Sequence, residues 1–373
     1  MSQEIKIGLL FSLHGTIAVI EKEQLNSAMV AINKINNSGG IDGYKLVPVV
    51  EDIQSDPVVT AKKTHHLINN HQVVAILGCY TSACRRAALP VLELNDGLLI
   101  YPTLYEGEEH SENVFYCGAT PNQQLQDFIP WIIDNLGKNV FLIGSDYVYP
   151  RETNRQVKNL IWENSGTITG EAYQPLGAQD FSTVIDLIKN SDTSIVFSTL
   201  VGENAINFYR QYYQNGLRSD TIPVCSSITS ESEIKAMETR YAFGHYTSFG
   251  YFQSLTTPEN EEFVAMYKYA YGQESVLSSV MEASYFGVLL LSQALKYANS
   301  FSFENLRKTL AGQKFQAPQG KIMIDQKNQH TWLWSRVGRV NDKGQFDILW
   351  ESRGPIKPEP WATVLYPGLK NQD

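Results

Sequence analysis

The feature that most constrains this chain is a sustained alternation of short apolar runs with helix-length amphipathic stretches, from residue 5 to about residue 250. Strands separated in this way cannot close as tight hairpins, so they align in parallel with helices on the sheet faces. Ile5–Phe11 reads as a strand and Gln24–Asn37 as a helix, with Leu25, Met29, Ile32 and Ile35 at helical spacing and Gly39-Gly40 as its stop. KLVPVVEDI, VVAILG and GLLIY are further strands, with helices predicted over Pro57–Asn70 and Ser82–Leu94.

A second series follows the turn-rich stretch Tyr105–Pro121. It comprises helix Asn122–Leu136, strand NVFLIGS, helix Arg151–Asn164, strand Thr167–Tyr173, helix Phe181–Asn190, strand SIVFSTL and helix Glu203–Asn215. Strand TIPVCSS, a short helix Glu231–Met237 and strand HYTSFGYF complete it. Helices are predicted at Pro258–Tyr271, Met281–Tyr297 and Phe303–Leu310, and KIMID, HTWLWSRVGRV and FDILWES read as antiparallel strands. The closing GPIKPEPW is expected to be an ordered extension that buries Trp361.

A chain of 373 residues exceeds one ordinary core. The expected fold class is α/β, with two doubly wound parallel-sheet lobes joined by a multi-strand hinge. The first lobe is expected to take residues 1–120 plus about 252–328, and the second 121–251 plus about 329–373. A cleft between two such lobes is the usual seat of a small ligand.

The balance of 30 Lys+Arg against 39 Asp+Glu gives a net charge of −9, which repels phosphate backbones and argues against nucleic acid as a direct partner. No apolar run approaches the roughly 18–20 residues of a membrane span. The opening Met1-Ser2-Gln3-Glu4 carries no signal-peptide pattern, so the expected address is cytoplasmic, or periplasmic if a signal has been removed. Cys79, Cys84, Cys117 and Cys225 are scattered in apolar contexts and read as buried free thiols, with a Cys79–Cys84 bridge as the alternative. No dinucleotide, P-loop, HExxH, nucleophile-elbow or EF-hand pattern is present, and the seven histidines show no metal spacing. No catalytic residue, metal or cofactor is therefore expected.

The chemistry that is present consists of hydroxyls at strand ends: Tyr80 and Ser82, Tyr101 and Thr103, and Tyr147 and Tyr149. Ligands of open α/β sheets bind beyond the carboxyl ends of the strands. Residues two apart in an extended segment share a side, so each pair points the same way. Hydroxyls both donate and accept, which suits a neutral hydrogen-bonding ligand such as a primary amide. Ser82 opens a helix and reads equally as a plain N-cap. An amino-acid ligand would need an acidic partner for its ammonium. The candidates are Asp146, Glu106 and Glu231, of which Asp146 and Glu231 read equally as helix caps.

The segments GCYTSACRRAALPVLE, LLIYPTLYEGEEHSENVFYCGATPNQQ and GSDYVYPRETN resemble the amide/urea branch of the type I periplasmic-binding-protein family. The resemblance continues through VFSTLVGENAINFYRQ, MEASYFGV and APQGKIMIDQKNQHTW. IGLLFSLHGTIAVIEKEQ and YPTLYEG are similar to the amide sensor of the aliphatic amidase operon. GATPNQQ and GHYTSFGYFQS are closer to the urea-binding component of ABC transporters.

The resemblance implies a short-chain aliphatic amide or urea as ligand, bound by Tyr80, Ser82, Tyr101, Thr103, Tyr147, Tyr149, Val201 and Thr229. The implied partner is an antitermination regulator or an ABC-transporter permease. Leu104 and Ile228 stand where the sensor pattern has Pro and Thr, and both fall at the expected pocket wall. The alternatives are a receptor for a branched-chain or other hydrophobic amino acid and, least favoured, an amidase.

Overall fold

The computed structural model describes residues 4–361. The first lobe opens with β1 (Glu4–Phe11), α1 (Ala18–Asn37), β2 (Lys45–Asp52), α2 (Pro57–Asn69), β3 (Ile76–Gly78), α3 (Ser82–Leu94), β4 (Leu99–Tyr101) and β5 (Val114–Tyr116). These five strands form one parallel sheet in the order β2-β1-β3-β4-β5. Helices α1, α2 and α3 make the crossovers between β1, β2, β3 and β4, while an irregular segment joins β4 to β5.

The chain then crosses into a second sheet. Helices α4 (Pro121–Leu125) and α5 (Phe128–Asn135) precede β6 (Asn139–Ser145), α6 (Val148–Glu163), β7 (Thr167–Gln174), α7 (Ser182–Lys189) and β8 (Ile195–Thr199). After them come α8 (Glu203–Gln214), β9 (Val224–Ser226), α9 (Glu231–Met237), α10 (Thr239–Ala242) and β10 (Tyr246–Phe249). A return crossing leads to α11 (Pro258–Tyr271), α12 (Ser279–Tyr297) and α13 (Phe303–Leu310), and α12 packs along α1. A small antiparallel sheet of β11 (Lys314–Ala317), β12 (Gly320–Ile324) and β13 (Thr331–Trp332) follows. The last two strands, β14 (Arg336–Val340) and β15 (Phe346–Glu351), join the second sheet, whose order is β15-β14-β10-β9-β8-β6-β7.

The architecture is the expected two-lobed α/β fold. In the second lobe β14 and β15 pair antiparallel, as the sequence reading of HTWLWSRVGRV and FDILWES expects, so that sheet is mixed. The predicted run HTWLWSRVGRV breaks into β13 and β14 because the chain crosses between lobes at 333–335. His330 bridges to Tyr116 at the edge of the first sheet.

The tail is ordered, but Trp361 does not anchor it: that side chain is 50% exposed. Asn122 accepts from the Glu359 amide at 2.8 Å and donates to the Lys357 carbonyl at 2.9 Å, and Glu108 N–H donates to the Pro360 carbonyl at 2.6 Å. The helix predicted over Asn122–Leu136 is interrupted between α4 and α5.

Each sheet carries buried apolar side chains on both faces, as parallel sheets require. One core cluster spans the lobes, joining Ile17, Tyr80 and Leu104 of the first to Tyr149, Val201, Ile228 and Phe249 of the second. The lobes are therefore closed on each other. All four cysteines are buried free thiols. Among the described residues, no helix is long and apolar enough to cross a membrane.

Candidate functional site

The site lies where β3 and β4 end opposite β6 and β9. Glu21 of α1 fixes the first of these ends. Its carboxylate accepts the Ser12 amide at 3.0 Å and the Tyr80 amide at 2.8 Å, which ties the chain after β1 to the chain after β3. Burial pushes the Glu21 carboxyl up to about 7, against those two hydrogen bonds. Gly78 is indispensable to the turn: its φ is +146°, and a Cβ there would fall 2.1 Å from the Leu10 carbonyl oxygen.

Thr81, not Ser82, is the N-cap of α3; its hydroxyl accepts from the Cys84 amide at 3.2 Å. Ser82 is thus the first helical residue, and its hydroxyl donates to Glu106 Oε2 at 2.5 Å and accepts from Arg85 Nη1 at 3.3 Å. Glu106 is itself paired with Arg85 Nη2 at 3.2 Å and Arg86 Nη2 at 2.8 Å, and Arg85 also holds Glu109. Arg85 is fully buried beneath the rings of Tyr101 and Tyr105.

Thr103 donates to the Cys79 carbonyl at 3.2 Å and accepts from Gln24 Nε2 at 3.3 Å. Tyr101 is placed differently from its sequence partner. Its hydroxyl donates to the Tyr80 carbonyl at 2.7 Å and its ring packs edge-on against Tyr105 and Tyr116, so it braces the Tyr80 turn from behind.

From the second lobe, Tyr147 caps the start of α6 and Tyr149 lies in its first turn, with rings 6.4 Å apart. Tyr149 OH faces Ser227 Oγ at 3.4 Å. Burial raises both phenols, Tyr149 to about 12, and Tyr80 also, so all three keep their protons and can donate.

A void runs between these groups. Tyr80, Ser82, Thr103 and Leu104 line it from one lobe, and Tyr147, Tyr149 and Ile228 from the other. Its cavity volume is about 10 Å³, close to the space of a single water in this closed state. Two neighbouring voids, of about 10 and 20 Å³ by the same measure, share the Leu104 wall and extend past Glu233 and Phe249 to Glu282 and Gln319. No Lys, Arg or His is among the described residues lining the three.

Val201 and Thr229 are buried beside this space but do not line the voids. The Val201 amide donates to Ser145 Oγ at 3.2 Å, and the Thr229 amide donates to Ser226 Oγ at 2.9 Å. The three acidic candidates are committed elsewhere. Asp146 pairs with Arg151 at 2.7 Å on the surface, Glu106 with two arginines, and Glu231 accepts the Gln253 amide at 2.9 Å. Two carboxyls that sequence reading missed reach the walls of the adjoining voids, Glu282 and Glu233; Glu233 accepts from the Ser230 hydroxyl at 2.6 Å, and burial raises its pKa. The S-x-x-E spacing of Ser230 and Glu233 is a capping box, and that was the signal available.

A histidine grouping the sequence spacing did not suggest lies away from the cleft. His66 and His71 surround Glu51, whose second oxygen is held by Lys63 at 2.6 Å.

The family model for the periplasmic binding protein domain matches residues 5–367. The chain belongs to the periplasmic binding protein domain family. Family members and the solved neighbours are solute binders, not enzymes.

The Leu/Ile/Val-binding protein homolog 6 of Brucella melitensis is 23% identical over 333 residues, covering 87% of this chain and 85% of that one. Among solved structures, a Rhodopseudomonas palustris solute binding protein in complex with 3,4-dihydroxybenzoic acid superposes with a TM-score of 0.87. It is 22% identical and covers 95% of this chain and 98% of the other. The Streptococcus pneumoniae branched-chain amino acid transporter substrate binding protein LivJ, in complex with isoleucine, gives 0.83 at 20% identity, covering 94% and 99%. A segment of 127 residues is 40% identical to a limonene hydroxylase of Geobacillus stearothermophilus, and the chain spans only 23% of that protein's length.

Proposed function

We propose that this periplasmic binding protein takes a small neutral ligand bearing an amide or urea group, and that the ligand holds its two lobes closed. The observation carrying this reading is the composition of the void: hydroxyls contributed by both lobes, walls of Leu104 and Ile228, and no cationic side chain among the described lining residues. A carboxylate ligand buried there would have no cation to pair with. A ligand touching both lobes favours the closed state because only that state offers all the contacts. The resemblance to ABC-transporter receptors makes a membrane permease the proposed partner, with an antitermination regulator as the cytoplasmic counterpart.

The second reading is a branched-chain amino-acid receptor. Glu233 at the wall of the adjoining void favours it as an ammonium partner, and the first-turn amides of α3 would then face the carboxylate. The described ligands of the neighbours, isoleucine and dihydroxybenzoate, belong to those proteins.

Thermal denaturation with urea, acetamide, leucine and 4-hydroxybenzoate side by side separates the readings, since a ligand of the folded state raises Tm. A rise with acetamide or low urea and none with leucine supports the amide reading. A rise with leucine or 4-hydroxybenzoate alone refutes it.

A further inference from the structure

Ser82 and Thr103 line the same void, and the hydroxyl of each has already spent its proton. A hydroxyl donates once and accepts twice. Ser82 donates to Glu106 Oε2 and accepts from Arg85 Nη1. Thr103 donates to the Cys79 carbonyl and accepts from Gln24 Nε2. In both cases the proton faces a group with no proton to return: a carboxylate flanked by Arg85 and Arg86, and a backbone carbonyl. Reversing either hydroxyl would leave a buried acceptor unpaired, which is costly. What each hydroxyl has left is one lone pair.

We propose that Ser82 and Thr103 act as fixed acceptors and select a ligand –NH₂ group, with Glu106 as the positioning residue that sets the Ser82 polarity. The inference rests on the amide reading of this cleft and names which end of the amide goes where. Two acceptors, one from the first turn of α3 and one from the turn after β4, match the two donors of a primary amide or urea nitrogen. The ligand carbonyl then turns toward the phenols of Tyr80, Tyr147 and Tyr149, which keep their protons and can donate. A carboxylate or ketone of the same shape offers nothing for Ser82 and Thr103 to accept.

The test compares acetamide with acetone, which has the same shape and carbonyl but no N–H, in competition titrations on the full chain. The wild-type protein is expected to bind acetamide at least about tenfold more tightly than acetone, the scale of one hydrogen bond. Ser82→Ala and Thr103→Val should each weaken acetamide about tenfold and leave acetone unchanged. Glu106→Gln lets an amide N–H donate to Ser82, freeing that hydroxyl to point into the void. It should narrow the acetamide-to-acetone ratio in the Ser82 background and not in Ser82→Ala.

Should Glu106→Gln fail to fold, the two hydroxyl variants still decide the matter. Equal loss of acetamide and acetone in Ser82→Ala and Thr103→Val means the hydroxyls donate to the carbonyl, and overturns this inference while the amide reading stands. A wild-type protein that binds no amide or urea overturns both.

Discussion

The Ser232 hydroxyl of α9 donates to the Glu23 carboxylate of α1 at 2.7 Å, a hydrogen bond that exists only while the lobes are closed. Gln156 Nε2 donates to the Glu106 carbonyl at 3.1 Å elsewhere along the cleft. Ser232→Ala is expected to weaken ligand binding two- to tenfold, about 1 kcal/mol, by destabilising the closed state. Titration calorimetry reads the affinity, and small-angle scattering reads the open population without ligand. Unchanged affinity would show that this contact does not contribute to closure.

Tyr149 lines the void, whereas Tyr101 acts from behind the Tyr80 turn. Tyr149→Ala should lose about 2 kcal/mol or more of binding, from a buried contact and a donor together. Tyr101→Phe, which deletes only the bond to the Tyr80 carbonyl, should cost about 1 kcal/mol of folding stability with a smaller effect on affinity. Equal binding losses in both would place Tyr101 in direct contact with ligand.

The two-apart rule placed Tyr101 with Thr103, and the geometry explains why it did not hold for both. The strand β4 ends at Tyr101 and the chain turns at Pro102, so the alternation of faces stops there. The strand-helix alternation was legible because each strand is an apolar run bounded by turn residues. Strand β5 was not: three residues inside a turn-rich stretch give no period to read. Tyr80, Ser82, Thr103, Tyr147 and Tyr149 were legible as a candidate group because each follows closely on the end of a strand, and Leu104 and Ile228 because they break a resembling pattern. Glu21, Gln24 and Glu233 were missed because they sit on helices and meet the cleft only through tertiary packing.

Stability should fall as pH rises above neutrality. Burial raises Glu231 and Glu282 from 4.5 to about 8, and Glu21 and Glu23 to about 7. A carboxyl whose folded pKa is raised contributes fully below its unfolded value and loses that contribution as pH climbs through the folded one. His245 and His330, lowered by burial from 6.5 to about 3, act in the opposite sense, losing their contribution as pH drops below their unfolded value. Tm is therefore expected to be higher at about pH 6.5 than at about 8.5, because the loss from four carboxyls outweighs the small remaining gain from the two histidines. Glu231→Gln should flatten that slope. A Tm that rises from pH 6.5 to about 8.5 would contradict the assignment.

Gly78→Ala should destabilise the fold by about 3 kcal/mol or more, since the new methyl meets backbone and the φ is unfavourable for any side chain. Denaturant titration checks this, and a variant as stable as wild type would show that the turn relaxes.

The central claim is that the cleft holds a small neutral amide or urea. Isothermal titration with acetamide, butyramide, urea, leucine and benzoate tests it most directly. A ligand like acetamide, with about four heavy atoms, is bounded near −6 kcal/mol, so the prediction is one site per chain with Kd in the tens of micromolar or weaker, and no heat from benzoate or leucine. Saturable binding of leucine or benzoate, with the amides and urea silent, would contradict it.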